Sequence, residues 1–347
     1  MTELQLAGDL RTALSHLALF GLGAILEEAG IADVRVGWSD GSDPCPVVRA
    51  TELDWPLAVG IVREHALRHV DPGDWTAARD AGDRSALMSP RIASLPDDAS
   101  WRGHAAARWE VIDRELRRTD WLDLRLIGSL GEPAYWRFNR QRQPLPDEGA
   151  SRWEMKTRNR GEEFVGNRLR PLAGCVVARS VEAIESGLMG SAPEDELGKN
   201  EVDSRTATGL ATPGPTDNAL AWCALWGISQ FPVIARIQRP SRTAGHLPAP
   251  RGAERNRRGS FYVPVPARPI ALPRLRTVIV SDQLARAAAI GPEGPADLGV
   301  LDLEAARGWL ADRGIASFVR FPIGEYGSAN APERRALLGT EIWIRVP

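Results

Sequence analysis

NALAWCALWGIS, residues 218–229, is apolar on every side of the helix that it would form. Thr216 or Asp217 stands just ahead as a capping residue, and FPVIARI (231–237) reads as a strand leaving the helix. A helix with no polar face has to be buried, so this stretch predicts the centre of a core. LRTALSHLALFGLGAILEEA (10–29) has the same character and stops at Gly30. Its Gly21 and Gly23 predict close helix packing, because GxGxxG is incomplete and no strand precedes it. Around these two helices the chain alternates between helical and strand periodicity. Strands are expected at 34–38, 261–265, 277–280, 317–321 and 341–346, and helices at 56–70, 101–118, 282–289 and 303–312. Residues 121–130 fit a strand or a buried turn of helix, and 172–189 a strand and a helix. The expected fold class is α+β: mixed helices and short antiparallel sheets, two buried apolar helices and long irregular loops such as 71–100.

The 347 residues are enough for one large domain or two ordinary ones. The acidic segment SAPEDELGKNEVDS suits a linker at 191–207, dividing an N-terminal α+β domain (1–190) from a C-terminal one (208–347). Hydrophobic content of 43% against 25% charged residues fits a globular chain. Three widely spaced cysteines support neither a disulfide framework nor a CxxC zinc site, and a reducing cytoplasm fits them. The most apolar run, Leu17–Leu26, is half a membrane span, so no membrane partner is expected.

Charge is distributed unevenly. The formal net charge is −2, yet Arg236–Arg276 holds ten arginines and one acid, carrying +9 and leaving −11 elsewhere. Arginine forks suit phosphate oxygens, and the Gly and Pro among them predict an extended arm. A second basic stretch, Tyr135–Arg170, has nine basic residues against five acids, interleaved with Tyr135, Trp136, Phe138, Trp153 and Phe164. Arginines for phosphates and flat rings for exposed bases are the composition of a single-strand or heteroduplex surface. The candidate nucleic-acid-binding residues are Arg137, Arg140, Arg142, Arg152, Lys156, Arg158, Arg160, Arg168 and Arg170 in one stretch. In the other they are Arg242, Arg251, Arg255, Arg257 and Arg258. Trp101, Ala105, Trp109, Ile112 and Leu116 recur at helical spacing, which predicts a buried stripe with Arg108, Arg114, Arg117 and Arg118 on the outer side.

Catalytic signatures are sparse. Pro146-Asp147 followed by Glu154-Met155-Lys156 spells PD…ExK, in which two carboxylates hold Mg²⁺ and a lysine supports a water; a metal-dependent nuclease is therefore an alternative. The gap is short for the usual hairpin. His65 and His69 share a helix face, but HEALRH is not HExxH. No GxSxG elbow and no GxxxxGK[ST] loop occurs, and no cofactor is expected. A scaffold whose arginines are only solvated is the third reading.

TATGLATPGPTDNALAWCALWGISQFPV (206–233), KTRNRGEEFVGNRLRPL (156–172) and SHLALFGLGAILEEAG (15–30) resemble CRISPR-associated subunits of the type I-U (I-G) effector module, of the auxiliary or large-subunit-like kind. The resemblance implies a non-catalytic subunit that binds guide RNA or target DNA and neighbouring effector subunits. It would assign Arg158, Arg160, Arg168 and Arg170 to a guide or target backbone and the Arg251–Arg258 loop to duplex or displaced-strand contacts.

Overall fold

The structure, a computed structural model, describes residues 1–155, 164–204, 208–237, 239–249, 257–289, 300–328 and 331–344. Strand β1 (Thr2–Gln5) leads into helix α1 (Ala13–Glu28), and β2 (Arg35–Trp38) and β3 (Pro46–Ala50) follow. Five helices come next: α2 (Trp55–Val70), α3 (Asp98–Arg118), α4 (Trp121–Leu130), α5 (Arg170–Ala178) and α6 (Val181–Met189). After α7 (Asn218–Gly227) come β4 (Val233–Ile234), β5 (Arg242–Thr243), β6 (His246–Leu247), β7 (Arg257–Pro266) and β8 (Ile270–Ala271). The chain continues through α8 (Leu272–Ile279), α9 (Asp282–Ala289), α10 (Val300–Asp312), β9 (Ile315–Ser328), β10 (Ala331–Ala336) and β11 (Thr340–Trp343). The fold is α+β. One antiparallel sheet has the order β1-β3-β2-β8, a second has β10-β9-β7-β6 with β11 also on β9, and β4 pairs with β5.

The two apolar helices lie against each other at the centre. Every residue from Ala13 to Leu26 and all of α7 is buried. Glycine makes the approach possible: a Cβ on Gly21 would overlap the Cys223 carbonyl, and one on Gly227 the Leu17 carbonyl. Asp217 caps α7, accepting from the N–H groups of Ala219 at 2.8 Å and Leu220 at 3.0 Å. The same carboxylate takes the Arg179 guanidinium at 2.8 Å, while Arg179 also grips Glu196. Asp195 accepts from Gly198, Ser204 and Thr216. Residues 191–204 are thus bound down rather than acting as a linker, and α1 and α7, from either side of them, share one hydrophobic core.

Other elements differ from their sequence reading. Residues 277–280 end helix α8 instead of forming a strand, because Leu272, Leu275, Val278 and Ile279 bury one helical face. Residues 121–130 are helix α4, with Leu122, Leu126, Ile127 and Leu130 inward, and 172–189 fall in two helices, α5 and α6. The described part of the arginine-rich stretch is built into sheets. It supplies β4's neighbour β5, then β6, and β7, which runs beside β9. Pro264 and Pro266 are tolerated because β6 pairs only with Ser260 and Phe261, leaving that side of β7 as an edge.

His16 is fully buried on α1, 2.8 Å from the Leu10 carbonyl through Nε2 and packed by Trp38 and Phe321. Burial lowers its pKa to about 4, against smaller upward pulls from Leu10 and Asp9. The unfolded chain therefore takes up a proton below pH ~6.5 that the folded one refuses, so stability falls as pH drops toward 4, with a slope approaching about 1.4 kcal/mol per pH unit from this group. Urea denaturation at pH 7 and pH 5 should show that loss, and His16→Gln should make the two curves more alike. Gly227→Ala is expected to cost at least about 1–3 kcal/mol by forcing α1 and α7 apart, read as a lower melting temperature.

Candidate nucleic-acid interface

Helix α3 is rotated relative to its sequence reading: Trp101 is buried and Arg117 and Arg118 are exposed as expected, but Arg108, Trp109 and Leu116 are not where the stripe put them. Its buried face carries Trp101, His104, Arg108, Val111 and Glu115, while Trp109 is 61% and Leu116 48% exposed. Arg108 belongs inside: its guanidinium donates to the carbonyls of Leu87 at 2.9 Å, Ser89 at 3.4 Å and Gly131 at 3.0 Å. Burial lowers its pKa to about 10, opposed by Glu132. Glu115 is held by Arg114 at 2.8 Å. A guanidinium that satisfies backbone carbonyls and a carboxylate paired with Arg114 take inner positions, and Trp109 and Leu116 are left facing out.

That stripe forms one wall of a cavity of about 260 Å³, with Trp101, His104 and Trp109 on α3, Tyr135 on the following loop and Val233 of β4 opposite. Tyr135 stacks on Trp101 at 5.8 Å and 27°. The loop is fixed where Gly131, in a positive-φ conformation (89°), meets the Gly149 carbonyl so closely that a Cβ would overlap it. From there residues 134–146 fold back as an irregular hairpin: Ala134 N–H to the Pro146 carbonyl, Leu145 N–H to Arg137 and Asn139 N–H to Gln143. The Asn139 side chain closes its tip by accepting from the N–H groups of Gln141 and Gln143. Arg140 and Arg142 stand exposed at that tip, and Phe138 is 53% exposed beside them.

The two basic stretches meet here. Trp136 donates its indole N–H to the Arg236 carbonyl at 3.1 Å, Ser241 its N–H to the Glu148 carbonyl, Arg152 its N–H to Thr243 Oγ1, and Trp153 its indole N–H to Ala244. Arg236, whose carbonyl takes the Trp136 indole N–H, has an exposed side chain, as does Arg239 three residues on. Neither stretch in isolation predicts this juxtaposition, since 100 residues separate Trp136 from Arg236.

Several expected phosphate contacts face other duties. Arg168 is buried. Arg170 donates to the carbonyls of His69, Val70 and Asp71 and to Thr76 Oγ1, clamping the end of α2. Arg152 is half-buried 3.5 Å from Glu148, and burial lowers its pKa. Arg242 pairs with Asp282 at 3.3 Å, and Arg137 is half-buried. Of the aromatics in the second stretch, Trp153 and Phe164 are core, Trp153 stacking on Phe261 at 3.8 Å. Lys156, Arg158, Arg160, Arg251 and Arg255, with the side chains of Arg257 and Arg258, lie outside the described residues.

Of the PD…ExK letters, Lys156 lies outside the described residues and Glu154 is engaged by an arginine. Glu154 is 0% exposed and receives Arg91 Nε at 3.1 Å, while Arg91 Nη2 donates to the carbonyls of Ser151 and Glu154. Burial raises the Glu154 pKa, against the pull of Arg91, Arg168 and Arg334. Guanidinium groups, not further carboxylates, surround it, whereas Mg²⁺ needs oxygen ligands. His65 packs between Trp222 and Trp226, and His69 Nδ1 pairs with Asp74 at 3.2 Å. Among the described residues no group of three or more His, Cys, Asp or Glu side chains is placed to hold a metal ion. No described helix is long and apolar enough to cross a membrane.

No family model and no curated protein matches the chain.

Removing Arg91 leaves a buried carboxylate without its countercharge, so Arg91→Ala should lower unfolding free energy by about 3–5 kcal/mol in a denaturant titration. Arg91→Lys should recover only part of this, because one ammonium cannot reproduce the guanidinium's separate bonds to Glu154 and Ser151.

Proposed function

We propose that the protein is a non-catalytic binder of single-stranded nucleic acid, holding phosphates on Arg140, Arg142, Arg236 and Arg239 and bases on the exposed rings of Trp109, Tyr135 and Phe138. One observation carries the reading: the Trp136–Arg236 contact joins two basic stretches into one face beside an aromatic cavity. Cationic side chains supply affinity without sequence preference, and exposed rings accept any base by stacking. A net charge of −2 makes this local concentration the feature that would attract a polyanion. The resemblance of 156–172 and 206–233 to type I-U effector subunits gives the reading its setting, in which the strand is guide RNA or opened target DNA and the neighbours are other effector subunits.

Binding to single-stranded RNA, single-stranded DNA and duplex DNA across a salt series tests this. Single strands should bind best, with log K falling linearly in log salt. The double substitution Arg140→Ala with Arg142→Ala should reduce the slope by about 1.4, the contribution of two single-strand phosphates. A binding curve flat in salt would sink the reading.

A further inference from the structure

The cavity beside this face has a shape and a polar complement of its own. At about 260 Å³ it is smaller than the ~300–1,000 Å³ of sites that take drug-sized ligands, and suits a single ring system. Its walls are flat: the Trp101–Tyr135 stack on one side, with Trp109 among the lining rings. Two polar residues besides Arg108 line it. His104 is buried with Nε2 lacking a hydrogen-bond partner. Burial and the neighbouring Arg108 lower its pKa to about 4, against a smaller upward pull from Asp80, so at neutral pH the ring can be donor or acceptor. Glu132 lines the same cavity and is exposed. Arg108, by contrast, already faces three carbonyls.

We propose that this cavity seats one unstacked nucleobase of the bound strand and prefers guanine, an inference that rests on the single-strand reading above. The rings exclude water and stack on the base faces; the Glu132 carboxylate, acceptor-only with two oxygens, selects the edge. Guanine alone offers two adjacent donors, N1–H and the exocyclic amine, which a carboxylate can take together. Adenine and cytosine place an amine next to an acceptor, and uracil flanks its single N–H with two carbonyls, so each would leave one carboxylate oxygen facing a lone pair. Arg140 and Arg142 at the hairpin tip lie at most about 18 Å and about 25 Å along the chain from Tyr135, so phosphates of the nucleotides flanking a seated base fall within their reach.

The test uses the full chain and four single-stranded RNA hexamers: all-uridine, and the same with one central guanosine, adenosine or cytidine, each read by fluorescence anisotropy at fixed salt. The guanosine hexamer should bind about tenfold or more tightly than the others, the range of a good bidentate contact. Glu132→Gln replaces one acceptor oxygen with a donor; it should erase the guanosine preference, so that the guanosine and all-uridine hexamers bind the variant alike. Equal affinities for all four hexamers, a preference for another base, or a guanosine preference that survives Glu132→Gln overturns the guanine seat while leaving the single-strand reading standing. Absence of binding by every hexamer overturns both.

Discussion

The contact between α1 and α7 is the constraint on which the rest of the structure depends. Two helices without polar faces can be accommodated only if each covers the other, and glycine at 21 and 227 lets their backbones approach to the limit. Everything else is arranged as a shell around that pair. The sheet containing β1, β2, β3 and β8 covers one part of it, α2, α5 and α6 another, and the β7–β9 sheet packs into the same core. Because α1 is near the beginning of the chain and α7 near residue 220, the two halves are locked together across the acidic segment between them.

Arginine plays two opposite parts in this protein, and the difference is decided by what lies within reach of each guanidinium. Arg91, Arg108, Arg170 and Arg179 are drawn inward, where loops and helix ends leave carbonyls without partners and where Glu154 and Asp217 are buried. Five donors in a fixed plane can satisfy several such acceptors together, which an ammonium could not. Arg140, Arg142, Arg236 and Arg239 sit where the backbone is satisfied by its own turns, as around Asn139, and their charges stay in water. The proposed interface draws on this sorting: it combines four of the cations left in water with the Trp109 ring left outside on α3.

Sequence by itself determined the two buried helices, the α+β class, most helix positions and β2, β7, β9 and β11, because these depend on local hydrophobic period and on capping residues such as Asp217. It also marked the Tyr135–Phe138 rings and the arginines beside them. What only the tertiary structure decided is which polar and apolar residues face inward. On α3 the stripe through Trp109 and Leu116 is the more apolar one, yet Arg108 finds the carbonyls of Leu87, Ser89 and Gly131 on the other side, contacts that are 19 to 23 residues distant and carry no periodic signal. Glu154 is a like case, answered by Arg91 63 residues earlier. The meeting of Trp136 with Arg236 is likewise non-local. Hydrophobic period is written along the chain, whereas a buried charge is decided by its partner, and the partner is brought by the fold.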